Sequence, residues 1–118
     1  MIEKTVLDYL NTALSVPCYM QEPANPNPAM IPKSFVILQK TGSSVQNHIY
    51  NATFAVQSYA GTLYNAANLN EAVKTAMREI INTTTITRCE LMSDYEYTKV
   101  STKQPRYQAV FELTYYEE

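Results

Sequence analysis

Apolar and polar side chains alternate through the middle of the chain, from His48 to Tyr59. A period of two residues is typical of a strand with one buried face, because successive side chains point to opposite sides. The residues that we expect on the buried face are Ala52, Phe54 and Val56. This segment therefore predicts a strand around which the rest of the fold is organised.

A helical period begins directly after this strand. Beyond Gly61 the apolar residues recur at intervals of three and four, which places them on one stripe of a helix. Thr62 precedes the stripe, and its side chain can accept a hydrogen bond from a free amide of the first helical turn. We expect the helix to pack on the strand that holds Phe54. Its stripe consists of Leu63, Ala66, Ala67, Leu69 or Asn70, Val73, Ala76, Met77 and Ile80.

The first twenty residues predict a short helix and a weak strand. From Ile2 to Leu14 the apolar residues have helical spacing, with polar residues on the other side. Pro17 disfavours the helical conformation of the residue before it, so the helix ends there. The segment Val16–Met20 can then form a brief strand at an edge of the sheet.

A proline-rich loop is predicted from Gln21 to Lys33. Each of its four prolines fixes a backbone angle and removes a hydrogen-bond donor. A long loop in a compact domain is usually functional or mobile. Its apolar residues Met30 and Ile31 are not needed at a turn, and two roles stay open for them. They contact a partner, or they pack on the core of the same chain.

A hairpin is predicted next. The run Ser34–Thr41 is rich in strand-forming residues and continuously apolar for part of its length, as in a central strand covered on both faces. The turn-forming residues that follow predict a hairpin tip from Thr41 to Asn47, which includes Ser43 and Ser44. We expect this tip and the proline-rich loop to be the most mobile parts of the free subunit.

Two further strands complete the pattern. The segment Ile86–Ser93 predicts a strand with Cys89 and Leu91 facing inward. A polar connection follows over Asp94–Gln104, and it includes Tyr95 and Tyr97. The closing strand runs from Arg106 to Tyr115 and alternates clearly. Its inward residues are Tyr107, Ala109, Phe111, Leu113 and Tyr115, and Tyr116 points the other way.

The predicted order is helix, three strands, helix, two strands. This order indicates an α+β fold, in which two helices pack on a largely antiparallel sheet of four to five strands. With 118 residues, we interpret the chain as a single domain, large enough to form its core without disulfides.

Charge and hydropathy exclude several classes of function. Nine basic and eleven acidic residues leave a formal net charge of −2, and the basic residues form no cluster. A protein that binds nucleic acid usually carries a basic stripe, so we expect no sequence-specific nucleic-acid partner. No run has the length of a membrane span or the apolar core of a signal peptide. We therefore expect a soluble protein made in a cytosol, with no membrane partner.

Residues with catalytic potential are few. The chain has one histidine, His48, which we interpret as a solvated residue of the hairpin, and two cysteines, Cys18 and Cys89. These three could in principle bind zinc, but they lack a fourth ligand and a closely spaced pair, so buried thiols are expected. Glu71, Lys74 and Arg78 have the spacing of an ordinary charged helix face. We predict no catalytic residue, no metal and no cofactor.

Tyrosine is unusually frequent. There are ten tyrosines, three phenylalanines and no tryptophan. Tyrosine provides a large, rigid contact area with a polar tip, which suits surfaces that become buried on assembly. The alternative is that these rings border the core at the strand edges.

Six stretches from Lys33 onward together have the sequence character of one known family. They are Gln39–Ser44, Asn47–Ile49, Ala52–Tyr59, Leu63–Ala67, Asn70–Val73 and Arg106–Phe111. Together they resemble the small tail-completion proteins that are encoded in the head-to-tail gene clusters of long-tailed bacteriophages and prophages. The resemblance implies an α+β domain that forms a ring, commonly a hexamer, at the head-proximal end of the tail. Such a ring terminates the tail tube and joins it to the head connector.

The resemblance implies a structural protein of the virion, without catalytic residues, that contacts itself, the tail tube protein and the connector. It also implies that the chain is in the host cytoplasm during assembly. A head-tail connector or stopper protein is one alternative, and a small adaptor that binds a peptide or small molecule is another. Exposed tyrosines and turn residues are the candidates for the assembly contacts. These candidates are Met30, Ile31, Ser43, Ser44, Tyr95, Tyr97 and Tyr116.

Overall fold

The computed structural model describes residues 1–24, 27, 30–82, 85–98 and 103–116. In this part of the chain, two α-helices and five strands follow one another in the order that the sequence predicts, and a 3₁₀ turn that was not predicted follows the second helix. The fold class is therefore confirmed as α+β. The elements are α1 (Ile2–Ala13), β1 (Cys18–Tyr19), β2 (Phe35–Gln46), β3 (Ile49–Tyr59), α2 (Leu63–Arg78), the 3₁₀ turn Ile80–Asn82, β4 (Ile86–Glu96) and β5 (Arg106–Tyr116).

The five strands form one sheet in the order β1-β2-β3-β5-β4. The two-residue strand β1 runs parallel to β2, and every other neighbouring pair is antiparallel. Because β3 and β5 lie in the middle, β1 with part of β2 forms one edge and β4 forms the other. The sheet makes the molecule elongated, with extents of 46 × 27 × 24 Å.

Helix α2 begins where the period of the sequence changes. The hydroxyl oxygen of Thr62 accepts a hydrogen bond from the backbone amide of Asn65 at 3.1 Å, so the predicted N-cap is confirmed. The helical stripe is confirmed for most of its residues, but Leu63 is substantially exposed. Of the two alternatives in the stripe, Asn70 is fully buried and Leu69 is only partly buried.

The main core lies between the two helices and one face of the sheet, here called the helix face. Ala52, Phe54 and Val56 of β3 are buried there, as predicted. Burial of this apolar surface is the largest favourable contribution to folding. The closing strand β5 contributes four buried residues of the predicted alternation, while Tyr107 is partly exposed. The four are Ala109, Phe111, Leu113 and Tyr115.

The predicted hairpin tip is wrong in position and length. Strand β2 continues to Gln46 and pairs with β3 as far as Ile49, so Ser43 and Ser44 are strand residues. The turn consists of Asn47 and His48 alone, which have φ angles of 52° and 66°. Two successive positive φ values indicate a type I′ turn, whose twist matches that of the flanking strands. A short turn of this kind allows the hairpin to extend beyond the core.

Strand β4 is longer than predicted and less covered. It reaches Glu96, and Leu91 is opposite Phe111 of β5, so Leu91 is on the helix face as predicted. Its side chain is nevertheless exposed, and Cys89 is half-buried. A cavity of about 110 Å³ between β4 and α2 explains the difference, since the helix does not cover this edge of the sheet. Lys74, Arg78, Cys89, Leu91 and Phe111 line the cavity.

The two predicted connections lie partly outside the described residues. In the loop Gln21–Lys33, residues 25, 26, 28 and 29 are not described, and neither are residues 99–102 of the second connection. In the described part of the proline-rich loop, the backbone amide of Met30 donates a hydrogen bond to the carbonyl oxygen of Asn27 at 3.0 Å. Neither helix in the described part of the chain has the length and apolar character of a membrane span.

Candidate assembly surface

The sheet face that points away from the helices, here called the outer face, carries an aromatic cluster at one end. Phe35 and Tyr59 stack with ring centroids 4.6 Å apart, and Tyr19 packs edge-on against Phe35 at 6.2 Å. The hydroxyl of Tyr59 lies 3.4 Å from a carboxylate oxygen of Glu22. The start of the proline-rich loop therefore reaches this end of the outer face, and the side chains of Phe35 and Tyr59 are buried.

Tyr95 and Tyr97 border this cluster. Their ring centroids are 5.8 Å apart, and the guanidinium group of Arg106 lies 4.3 Å from the ring centroid of Tyr97. Arg106 also donates hydrogen bonds to the backbone oxygen of Tyr97 at 2.6 Å and to the hydroxyl of Tyr59 at 2.8 Å. A cation over an aromatic face with satisfied donors fixes the ring orientation. Both tyrosines thus present partly exposed, well-oriented rings.

Ser43, Ser44 and Tyr116 lie at the other end of the sheet, beside the type I′ turn. Tyr116 is opposite Ile49 in the register of β3 and β5, and it is 54% exposed. Ser44 lies on the outer face like Tyr116, because it is opposite Asn51, two residues from Ile49. Ser43 is opposite Ala52 and therefore lies on the helix face, where it is exposed.

Met30 and Ile31 differ in exposure. Met30 is 68% exposed, whereas Ile31 is partly buried. The candidates from the sequence therefore occupy three places rather than one surface. These are the proline-rich loop, the hairpin end of the sheet, and the opposite end beside Arg106.

Further exposed residues were not selected from the sequence. Leu91 and Met92 of β4, Val45 of β2, and Tyr64 at the start of α2 all expose large apolar side chains. A signal for Met92 was present, since the alternation that turns Leu91 inward turns its neighbour outward. Leu91, Met92 and Tyr95 of β4, with Tyr97 directly after it, therefore expose apolar and aromatic side chains among the charged residues of this edge.

Both edges of the sheet have stretches without a neighbouring strand among the described residues. Strand β1 pairs only with Val36 and Ile37, so the edge of β2 from Gln39 to Gln46 is free. All eight of these residues are exposed. The outer edge of β4 is also free over Thr87–Glu96, and nine of these ten residues are exposed. Unpaired edges present backbone donors and acceptors that can pair with another chain.

Charged side chains flank both edges. Lys40 of β2 lies 3.1 Å from the carboxylate of Glu3. A backbone hydrogen bond and Lys40 together hold the pKa of Glu3 below its usual value. On the other side, Lys74 of α2 forms ion pairs with Glu71 at 2.8 Å and with Asp94 of β4 at 3.3 Å. These two carboxylates raise the pKa of Lys74. The ion pair with Asp94 connects α2 to β4.

The two thiols and the histidine are far apart in the fold. Cys18 lies on β1 and Cys89 on β4, at opposite edges of the sheet, while His48 lies in the type I′ turn. The three residues therefore do not form the zinc site considered from the sequence. Burial raises the pKa of Cys18 to about 12 and that of Cys89 to about 11. Thiols with such pKa values are weak nucleophiles at neutral pH.

An open groove lies between the two helices. Its volume is about 440 Å³, and Tyr9, Leu69, Ala72 and Glu79 contribute to its lining. The hydroxyl of Tyr9 donates a hydrogen bond to the carbonyl oxygen of Ala76 at 2.6 Å. This bond fixes α1 against α2. Burial and the nearby Glu79 carboxylate raise the pKa of Tyr9.

Comparison with models of known protein families and with curated proteins finds no match for this chain.

Proposed function

We propose that the chain is a structural protein of a long-tailed bacteriophage or prophage that acts without catalysis. In this proposal six copies form a ring at the head-proximal end of the tail. The ring terminates the tail tube and joins it to the head connector. The tail tube protein and the connector are then its partners, and the protein is present in the host cytoplasm during assembly and afterwards in the virion.

The observation that carries the proposal is the exposed apolar and aromatic edge formed by β4. Leu91, Met92, Tyr95 and Tyr97 expose between 43% and 56% of their surface along one edge of a small domain. Exposed apolar patches of this kind mark surfaces that other proteins cover. Tyrosine and methionine are enriched in such interfaces. The resemblance of six stretches of the sequence to tail-completion proteins supports a ring at the end of a tail as the assembly.

A ring also requires two different contact surfaces on each subunit. The free edge of β2 and the free edge of β4 lie on opposite sides of the sheet. The two surfaces differ in chemistry, since β2 is polar over Gly42–Ser44 and β4 carries exposed apolar residues. This arrangement suits a heterologous, head-to-tail contact that closes into a ring.

Electron microscopy of particles assembled without this protein tests the proposed role. We expect tails that are longer than normal, lack a terminal ring and remain separate from the heads. Supplying the wild-type chain restores joined particles of normal tail length and serves as the control. Tails of normal length beside heads that have lost their DNA would instead assign the chain to the connector or stopper position. Normal particles would contradict the proposal.

An adaptor function is the second candidate, because the groove between α1 and α2 is open and about 440 Å³ in volume. An adaptor would remain a monomer and gain thermal stability with its ligand. Ala72→Trp separates the two functions, since a large side chain at this exposed position of the lining would fill the groove. The substitution would remove ligand-dependent stabilisation of an adaptor, and we expect it to leave ring formation unchanged.

A further inference from the structure

Rows of directly opposed residues cross the sheet from β2 to β4. Each row begins at the free edge of β2 and ends at the free edge of β4. The register therefore shows which residues of the two edges lie at the same height, that is, at the same position along the strand direction. Two such rows consist of Ser44, Asn51, Thr114 and Arg88, and of Gly42, Thr53, Glu112 and Glu90.

Bulges limit the regular part of each edge. Thr41 is an extra residue in β2, and Thr87 and Met92 are extra residues in β4. A bulge interrupts the backbone ladder and bends the strand. Between these bulges, the regular stretches are Gly42–Gln46 in β2 and Arg88–Leu91 in β4. The rows place Gly42–Ser44 at the same height as Arg88–Glu90, so a second copy beside the first can align these residues.

The direction of the strands permits this alignment. β2 is antiparallel to β3, β3 to β5, and β5 to β4, so β4 runs opposite to β2. A second copy placed in the same orientation beside β4 would therefore meet it through an antiparallel ladder. Repetition of this contact around an axis along the strands makes a closed ring.

The charges favour contact between unlike edges. β4 carries Arg88 and three carboxylates, those of Glu90, Asp94 and Glu96, whereas Gly42–Gln46 of β2 carries no charge. Two β4 edges would bring net negative charge against net negative charge, which disfavours pairing. A β4 edge beside a β2 edge avoids this repulsion.

A groove beside β2 can receive the apolar residues of β4. The groove has a volume of about 460 Å³ and is lined by Met20, Leu38 and Lys40, among others. Lys40 shares a row with Leu91 through Phe54 and Phe111. In the aligned arrangement, Leu91 of one copy therefore stands at the height of this groove in the next.

We propose that Arg88–Glu90 of one copy pairs with Gly42–Ser44 of the next copy, so that the sheet continues from subunit to subunit around the ring. Leu91 then covers the groove beside β2. The inference rests on the proposed function, because it assigns the contact that closes the ring. It identifies the occupant of each free edge as a second copy of this chain.

Substitutions at Gly42 test whether this residue lies opposite Glu90 of the neighbouring copy. A Cβ atom at Gly42 meets no atom within 4 Å, so either charged side chain fits the isolated subunit. Gly42→Glu places a carboxylate opposite the neighbour's Glu90, and we expect the concentration at half-assembly to rise about five- to tenfold. Gly42→Lys is the matched control, and we expect it to assemble at least as tightly as the wild type. Sedimentation velocity over a concentration series measures both.

The double variant Gly42→Glu with Glu90→Lys provides the reciprocal test. Because it restores opposite charges across the contact, we expect its half-assembly concentration to return to within about threefold of the wild type. Equal melting temperatures of the dilute subunits would show that the fold is unchanged. Equal assembly by Gly42→Glu and Gly42→Lys would overturn the proposed contact.

Hydrogen exchange provides a readout that needs no substitution. On assembly of the wild-type chain, we expect slower exchange of backbone amides in Arg88–Glu90 and Gly42–Ser44. The turn at Asn47 and His48 serves as an internal reference. Assembly with protection elsewhere and none at these edges would overturn the contact but leave the ring. A chain that remains a monomer at every concentration and does not join purified tails would overturn both this contact and the proposed function.

Discussion

Phe54 and Phe111 lie directly opposite each other on the neighbouring antiparallel strands β3 and β5. Both side chains are buried in the core that α2 covers with Val73 and Met77. The pair joins the strand that the alternation of the sequence first indicated to the strand that closes the sheet. Contacts between residues so distant in sequence form only when the whole domain folds.

Truncation of this pair should impair folding itself. We expect Phe111→Ala to lower the free energy of unfolding by about 3–5 kcal/mol, because it removes buried apolar surface and leaves a cavity. That loss is a large share of the total stability of a small domain. Urea unfolding followed by circular dichroism measures it.

Tyr116→Ala is the matched control for this measurement. Tyr116 ends the same strand but is exposed, so we expect its truncation to change the free energy of unfolding by about 0.5 kcal/mol or less. If the outer face contributes to assembly, the same substitution weakens ring formation. Equal destabilisation by the two substitutions would show that the outer face is covered within one subunit.

The N-cap of α2 can be tested by one conservative and one disruptive substitution. Thr62→Ala removes the acceptor of the hydrogen bond from the Asn65 amide, and we expect a loss of about 1 kcal/mol in the free energy of unfolding. Thr62→Ser keeps the hydroxyl and should retain most of the stability. A similar loss for Ser and Ala would show that the methyl group, rather than the hydrogen bond, stabilises this helix start.

Much of the fold followed from local patterns. The cap at Thr62 and the alternation of Phe111 and Leu113 were predicted because each depends on residues close in sequence. The choice between Leu69 and Asn70 on the helical stripe was not predicted. It depends on how α2 is rotated against the sheet, which is a tertiary relationship.

The hairpin tip was wrong for a different reason. Gly42, Ser43 and Ser44 have the composition of a turn, but pairing with β3 keeps β2 extended up to Gln46. Prediction of the candidate assembly residues was limited in the same way, because local patterns contain no information on strand pairing. The outward direction of Tyr116 was predictable from alternation, and Tyr95 was selected from a polar connection, whereas the free edges of β2 and β4 required the strand order, which no local pattern contains.

The type I′ turn predicts a stabilising substitution. His48 has a φ of 66°, a left-handed conformation that costs energy for residues with a Cβ atom. We expect His48→Gly to raise the free energy of unfolding by about 0.5–1 kcal/mol, since Asn-Gly is the preferred pair for this turn. We expect His48→Val to lower it, because a β-branched side chain tolerates positive φ poorly. Stability that falls for both variants would contradict the turn assignment.

The buried thiols predict a loss of stability at high pH. The pKa values of Cys18 and Cys89 are raised to about 12 and about 11 in the folded chain, whereas unfolded cysteine has a pKa of about 8.5. Because the folded state holds these protons more tightly, their contribution is fully present below pH about 8. It is lost as the pH rises through the folded values.

We therefore expect the free energy of unfolding to fall between pH about 9 and 11, and to fall less steeply in the double variant Cys18→Ser, Cys89→Ser. Each serine substitution should cost about 1–2 kcal/mol at neutral pH where the thiol is buried. Tail assembly should continue with either variant. An unchanged pH dependence in the double variant would show that other groups cause the loss of stability.

The mass of the purified chain over a range of concentrations tests the central claim most directly. Light scattering on the 13.4 kDa chain should show a species of about 80 kDa, the mass of six copies, whose population increases with concentration. Dilution should return the monomer if the contacts are weak. A mass of 13.4 kDa at every concentration, together with no incorporation into purified tails, would contradict the ring.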